Sequence, residues 1–574
     1  MSLSESIRTR LSDNYIIHVV ILVVTVAFLV APHIQGVGVN DDGSYTRVAV
    51  EQSAGNWKIE SDGFTTRFLV TLPLTAAIKL GIGIKWLPVV TLLQFLCLVI
   101  FMYFLISKIT GSNFFTLLGA LFFASSPFLI QNATLTTGDI LHNLLLSSGV
   151  LLIIFSHSDF THTQGRKLLT AACAAMLFFA SFVAKETTLF FLPVLLGLCV
   201  YQIQTCTYSK NIKCFWGVFF LTAAFLSVAT LFGYHFFTGN ALFLINTIVE
   251  NSKFVDPSLC YDNTYALLLR VTLKPFQFML LDFTFGISFI LAVAGLFKRP
   301  KNPIQAQLKL YFVLSIVIWW VVVPLVIRPW NPIGLFHRIW MPVLIPMMLN
   351  ALLYILNIQN NYNAVLNFKT KIFWCVMLAG VLVSSCISYF EYIKIGGNVL
   401  GIFLPVAVYS VCILFIILNR PQKAMLLNTP VLLIIIVLPQ LAIGLLRVNQ
   451  WVDGGMENQF DKSAETLRFI NLNNPKLVLT DPNAARNFSV FIDGANHLNV
   501  KSYNTFYLSQ IPDSSYLWIN RDRHDRYIKN LPAAYNFAKT RFVVHPYLIH
   551  PTEYGFVKVF DNGSDCCYLY KKLS

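Results

Sequence analysis

Charge is what this chain has least of. Asp, Glu, Lys and Arg make up 12% of its 574 residues, half the share of roughly 25% carried by a soluble globular protein. The charges it has fall between long apolar runs. That pattern excludes an ordinary soluble domain and predicts a polytopic α-helical membrane protein, because a bilayer core asks for roughly 20 apolar residues per helix. Alternating strands of a membrane barrel would not produce unbroken runs. Acids are scarcer still, 27 against 42 basic residues, for a net charge of +15. The excess Lys and Arg lie in connections between apolar runs, where cytoplasmic loops face anionic lipid, so no nucleic-acid partner is implied. There is no Walker loop, and G-V-G (36–38) opens no βαβ unit, which leaves a nucleotide-binding fold without support. Of the eleven cysteines, Cys97, Cys173, Cys199, Cys375, Cys386 and Cys412 fall inside apolar runs and read as packing residues. Vicinal Cys566 and Cys567 have no zinc spacing. Residues 16–31 lack a small-x-small cleavage site and read as a retained first span. Internal repeats and low-complexity segments are missing too.

What is there begins with the runs. They fall near 15–34, 86–106, 113–130, 139–156, 168–184, 187–204, 215–237, 276–297, 310–327, 338–357, 372–390, 399–418 and 425–446, about thirteen spans within a membrane domain of residues 1–446. A further run, 64–81, is interrupted by Arg67, Pro73 and Lys79 and reads as a helix lying in the interface within a first outer loop, 35–85. Charge sidedness supports that reading. If 64–81 does not cross, Arg8, Arg10, Lys108, Arg166, Lys167, Lys210, Lys213, Lys298, Arg299, Lys301, Lys309, Lys369, Lys371, Arg420 and Lys423 share the cytoplasmic side. Asp41, Asp42, Glu51, Glu60, Asp62, Asp139, Glu186, Glu250, Asp256, Asp262 and Glu391 then share the other. The polar tail, 447–574, is expected outside as a small α/β domain. It has a helix near 456–471 and β-rich runs at 476–480, 488–492, 541–545 and 555–560, set apart by N-N-P, D-P-N and D-N-G turns.

The chemistry-bearing residues gather on the expected outer side. D-D-G-S-Y-T (41–46) puts two carboxylates just past the first span. If the segment is helical, Tyr45 shares the face of Asp41, and Thr46 that of Asp42. The plain alternative is that the two aspartates cap a helix and oppose its dipole. A-T-L-T-T-G-D-I-L (133–141) puts Asp139 at the start of a span, again a site for a cap. A-K-E-T-T-L-F-F-L-P (184–193) puts Lys185 and Glu186 in a tight turn, where a local ion pair would suffice. R-P-W-N-P-I-G-L-F-H-R-I-W-M-P (328–342) brings Arg328, His337 and Arg338 to the same side, where the plain alternative is that they are interface anchors beside Trp330 and Trp340. Together these carboxylates and cations suit an anionic lipid head group with a base beside it.

The order of these motifs resembles the integral-membrane glycosyltransferases of the GT-C class. Nearest in pattern are the protein O-mannosyltransferases and the lipid A aminoarabinose transferases. The shared features are a first span, an outer D-D-x-x-Y, a loop with interfacial helices, T-x-D opening the fourth span, a Lys after the fifth, and later R-x-x-x-P-x-x-x-P. The likeness covers residues 15–205 well and 310–357 loosely. It implies an inverting transferase that takes a sugar from a polyprenyl-phosphate donor to a hydroxyl acceptor on the extracytoplasmic face of a bacterial inner membrane. By the same resemblance Asp41 is the base with Asp42 beside it, Tyr45 and Asp139 support them, Lys185 lies near the donor phosphate, and Arg338 answers to the later arginine. His337 and Glu186 flank these positions, and Arg67 is a further candidate cation from its own place in the loop. Where the aminoarabinose transferases carry a K-P-P-like segment, this chain reads D-G-F-T-T-R-F (62–68), so the acceptor stays open among lipid, glycan and protein. No particular cofactor is implied. A divalent metal near Asp41, Asp42 and Asp139 stays open, although those acids have no ligand spacing. The alternative class is a transporter or flippase for a lipid-linked saccharide, since charges within a membrane also mark transport paths.

Overall fold

The computed structural model describes residues 15–360 apart from 35, 38–40, 61–62, 157–163, 206–208, 253–263, 282–284, 323, 327–330 and 333–336. It also describes 375–376 and 379–380, and 459–573 apart from 481, 491–497, 504–505, 521–545 and 562–566. Among these residues, seven helices are long and apolar enough to cross a membrane. They are Tyr15–His33, Ile84–Thr110, Asp139–Ser156, Gly165–Ala184, Glu186–Thr205, Asn211–Thr238 and Pro303–Val322. Each coincides with an apolar run of the sequence, and the chain is an integral membrane protein. The expected runs at 399–418 and 425–446 lie outside the described residues, as does 372–390 apart from 375–376 and 379–380.

Two runs differ in detail from single straight spans. The run at 113–130 is a pair of helices, Asn113–Ala124 and Pro127–Ala133, bent by 65°. Ser126 precedes a proline, whose ring disfavours helical backbone at the residue before it, and Ser126 is extended at φ −61° and ψ 117°. Pro127 then restarts the helix at its first position, where a missing N–H costs nothing. The run at 276–297 is described as two shorter helices, Leu273–Leu281 and Gly286–Leu296.

The helices share one apolar core that includes Phe95, Phe122, Phe123, Leu146, Val150, Leu195, Leu198, Tyr311, Phe312 and Trp319. Gly149 lets two helices close up, since a Cβ there would meet the Ala174 carbonyl oxygen at 3.1 Å and the Phe178 nitrogen at 3.2 Å. Close approach at small residues is how helices associate where lipid provides no hydrophobic contrast. The outward faces stay greasy: Val20, Val24 and Phe28 on the first span, and Leu221, Phe225, Phe232 and Phe236 on Asn211–Thr238, are exposed. Such faces suit acyl chains.

Phe68–Lys79 is a helix of 12 residues. At 1.5 Å per residue it runs about 18 Å, short of a bilayer core of about 30 Å.

The tail carries a five-stranded mixed sheet. Its spatial order is Val500–Ser502, Val478–Thr480, Tyr516–Asn520, Cys567–Lys572, Phe556–Asp561. The first three strands pair parallel and the last three antiparallel. Both faces are covered. Val478, Tyr516, Trp518 and Leu569 face a cluster shared with the membrane part. Their alternates Leu479, Leu517 and Ile519 pack under Tyr547 and Leu548. Burial on both faces explains near-continuous apolar strands such as Y-L-W-I-N. The helix near 456–471 is Gln459–Leu472, and the expected runs 476–480 and 555–560 hold strands. The run 488–492 is corrected: Phe488–Val490 is a 3₁₀ turn that continues the helix Pro482–Asn487. Pro482 occupies a first helical position there, which a D-P-N turn reading overlooks. Run 541–545 lies outside the described residues.

Candidate functional site

The Asp41–Ser53 helix is polar in sequence, D-D-G-S-Y-T-R-V-A-V-E-Q-S, yet nine of its thirteen residues are buried. A polar helix tolerates burial only when its polar groups are paired, and this one is paired on every side. The Tyr45 hydroxyl accepts a close hydrogen bond from Arg67, and its ring meets Phe64 edge-on at 5.0 Å. Thr46 Oγ1 lies 3.3 Å from Thr136 Oγ1. Arg47 Nη1 donates to Glu51 Oε1 at 2.8 Å, and its Nη2 lies 3.9 Å from Glu60 Oε2. Gln52 Oε1 accepts from Thr75 at 2.8 Å. Asp41 and Asp42 stand in the first turn, where carboxylates favour the positive end of the helix dipole. Asp42 is 6% exposed, and Asp41 is half-buried.

From this helix a chain of contacts closes into a ring. Arg67 grips Glu186 in a bidentate pair, Nη2 to Oε1 at 2.6 Å and Nε to Oε2 at 3.2 Å, while its other arm holds Tyr45. Lys185, next along the backbone, contacts the carboxylate of Asp139. Three residues before Asp139, Thr136 Oγ1 donates to the carbonyl of Asp42 at 3.1 Å, which returns to the starting helix. A local Lys185–Glu186 pair was the plain expectation, but the two neighbours are paired across the fold, each to a different element. Extended backbone at Lys185, φ −160° and ψ 123°, suits the divergence, because successive side chains of an extended chain point opposite ways. The turn before Asp139 packs tightly: a Cβ on Gly138 would sit 2.7 Å from Val70 Cγ2.

The electrostatics follow from burial. Burial pushes the Tyr45 hydroxyl up to about 12; Arg67 pulls the other way, and the Asp41 and Asp139 carboxylates add to the rise. Tyr45 therefore stays a neutral phenol at any physiological pH. For Arg67, burial alone would lower the pKa, but Glu186 and then Tyr45 reverse this and hold the guanidinium well above its ordinary value. A stability effect follows. Unfolded tyrosine ionises near 10, so Tyr45 supports the fold below pH 10, and that support is lost as pH rises toward about 12. Tyr45→Phe should flatten the fall in thermal midpoint between pH 10 and 12. At pH 8 it should cost about 1–3 kcal/mol, the usual range for losing a hydrogen bond to a charged group. Melting curves across that pH range check both effects.

Of the sequence candidates, Asp41, Asp42, Tyr45, Arg67, Asp139, Lys185 and Glu186 fall in or beside this ring. His337 and Arg338 open the helix His337–Asn360, and their side chains lie outside the described residues. Trp340 is fully buried, with the Arg270 guanidinium 5.7 Å from its ring centre, so it is not an interface anchor. Sequence reasoning passed over Arg270, a fully buried cation whose Nη1 donates to the Trp320 carbonyl at 3.3 Å. It also passed over Thr136 and His142. His142 Nε2 lies 2.9 Å from Thr188 Oγ1, which is 3.1 Å from Ser181 Oγ. His142 could have been found: it stands three residues after Asp139 on one helix, hence on the same side. Among the described residues, no group of three or more His, Cys, Asp or Glu is gathered to hold a metal ion.

The fold is shared with a membrane protein of known structure, over nearly the full length of both chains. ArnT from Cupriavidus metallidurans bound to undecaprenyl phosphate superposes with a TM-score of 0.52 at 11% identity, covering 97% of each chain. The same protein in the apo state gives a TM-score of 0.53 at 10% identity, again over 97% of each chain. At such identity the likeness is one of fold. No family model matches the chain, and no curated protein matches it by sequence.

Proposed function

We propose that this protein is a glycosyltransferase that moves a sugar from a polyprenyl-phosphate donor to a hydroxyl acceptor on the extracytoplasmic face of the membrane. The observation that carries the reading is the ring itself: two cations, Arg67 and Lys185, are joined through Tyr45, Glu186, Asp139 and Thr136 to the helix whose first turn carries the acid pair Asp41 and Asp42. The ring sits in a fold shared with a protein solved with undecaprenyl phosphate. Charge placement along the sequence supports an outward-facing ring, on the side away from the basic connections.

In this reading Asp41 takes the proton of the acceptor hydroxyl. The freed oxygen attacks the anomeric carbon, the bond from that carbon to the phosphate oxygen breaks, and polyprenyl phosphate leaves with inversion at the sugar. Lys185 and Arg67 stabilise the charge that develops on the departing phosphate, with Arg338 and His337 as further contributors. Both cations are engaged by carboxylates in this structure. The donor phosphate therefore enters by exchange, its oxygens replacing those of Asp139 or Glu186. Tyr45, neutral and bound to Arg67, holds the guanidinium in place during the exchange. No step is assigned to a metal.

One observation speaks for the transporter reading: the bent pair Asn113–Ala124 and Pro127–Ala133. Transporters of that design place broken helices at corresponding positions in two repeats, and only one such pair occurs among the described residues.

Binding of the polyprenyl phosphate that donor and released product share gives a direct test. Undecaprenyl phosphate at a hundred times its Kd should raise the unfolding free energy of the purified protein by about 2.7 kcal/mol. The double variant Lys185→Met with Asp139→Asn, which strands no carboxylate, should bind about 10- to 100-fold more weakly, as expected for one charge-assisted contact. Unchanged affinity in that variant would remove Lys185 from the phosphate site.

A further inference from the structure

We propose that Asn487, in the C-terminal sheet region, is a positioning residue for Asp41, so that the tail helps hold the catalytic base in place; this rests on the reading of Asp41 as base. Asn487 and Ser44 are 443 positions apart in sequence. Asn487 is fully buried and Ser44 is 2% exposed. The Asn487 amide nitrogen donates to Ser44 Oγ at 3.0 Å, and Ser44 Oγ lies 3.5 Å from the amide oxygen. Around this contact the tail and the membrane part share one apolar cluster. Tyr45 and Ala49 of the Asp41 helix belong to it together with Ala464, Leu467, Ala484 and Val490 of the tail.

The location gives the contact its meaning. The first turn of a helix lacks partners for its N–H groups and frays unless something holds it. Asp41 and Asp42 are the first two residues of their helix, and Ser44 follows within the same turn. Side-chain contacts reach that turn from two other parts of the chain. Thr136 donates to the Asp42 carbonyl, and Asn487 donates to Ser44. One comes from the membrane helices and the other from the tail, so the turn is held between them. A general base must be placed to within a fraction of an ångström, and a misplacement of about 1 Å can cost about 10²-fold in rate.

A seam that only glued two parts together would respond differently from one that sets a base. In Asn487→Ala, kcat for polyprenyl-phosphate release should fall about 10- to 100-fold, with KM for the donor within about twofold of wild type. Ser44→Ala should do the same, and the double variant should be no worse than either single one, as for two residues acting through one contact. The exchange Ser44→Asn with Asn487→Ser should recover part of kcat. Tyr547→Phe removes hydrogen bonds to the Tyr503 and Phe506 carbonyls in the part of the tail core away from the Asp41 helix, and it should leave kcat unchanged. Hydrogen exchange provides a readout that needs no turnover: amides of 44–46 should exchange faster in Asn487→Ala, while those later in the helix stay protected. Unchanged kcat in Asn487→Ala, with wild type active, overturns this inference and leaves the proposed function standing. So does unchanged protection at 44–46. A wild type that cleaves no donor takes down the reading of the site and this inference with it.

Discussion

Asp41→Asn should lower sugar transfer by about 10²–10⁴-fold, the usual contribution of a general base, with expression, melting temperature and donor binding retained. The substitution keeps the shape and one acceptor oxygen and removes the charge, and with it the ability to accept a proton. Asp41 is half-buried, so little packing depends on it, and the rest of its helix is held by Tyr45, Thr46 and Gln52. The loss should appear in kcat with KM for the donor nearly unchanged, as for an interaction made only in the transition state. Asp42 provides the contrast. Its side chain is buried, with the residue 6% exposed, so Asp42→Asn, which changes a buried carboxylate into an amide, should disturb the first turn as well as any chemistry. Measured rates of donor cleavage for both variants settle which carboxylate is the base: full activity in Asp41→Asn would remove it from that role.

Arg67→Ala should be the most destabilising single change in the ring. Arg67 makes three hydrogen bonds to Glu186 and one to Tyr45, and its side chain and that of Glu186 are only 20% and 32% exposed. Truncation leaves a largely buried carboxylate and a buried phenol without their donor. Breaking one side of a buried pair typically costs about 3–5 kcal/mol, and partial exposure here brings the expectation to about 2–4 kcal/mol. Arg67→Lys should fall between the two, because an ammonium keeps the charge but cannot fork to Glu186 and reach Tyr45 at once. Thermal unfolding in detergent, followed by tryptophan fluorescence, checks the order wild type, Lys, Ala. If Arg67→Ala melts with wild type, the ring is not what holds residues 63–67 against the membrane helices.

Much of this arrangement could be read before any coordinates, for identifiable reasons. Apolar runs of 18 or more residues announce helices by length alone, and seven of them stand where the hydropathy placed them. D-D-x-x-Y left the helix as a condition, and the structure meets it: Asp41 and Tyr45 stand one turn apart on one helix, where i and i+4 share a face. Pairing between distant elements could not be read. Nothing local says that Lys185 turns to Asp139 while Glu186 turns to Arg67, since the choice depends on how three helices and a loop pack. Asn487 was invisible for the same reason: an asparagine in an N-A-A-R-N helix has no periodicity that points 443 positions back. The strands at Val500–Ser502 and Tyr516–Asn520 were missed because one is three residues long and the other, buried on both faces, does not alternate in polarity. The bend at Ser126 could have been read from S-S-P, because the residue before proline resists helical backbone.

The most direct measurement is the fate of a polyprenyl-phosphate sugar given to the purified protein in sealed vesicles with an envelope extract as acceptor. Wild type should release polyprenyl phosphate in step with sugar appearing on the acceptor, and Asp41→Asn should release almost none. A donor that crosses the vesicle membrane intact, with no phosphate released by either protein, would contradict the transferase and make this a flippase.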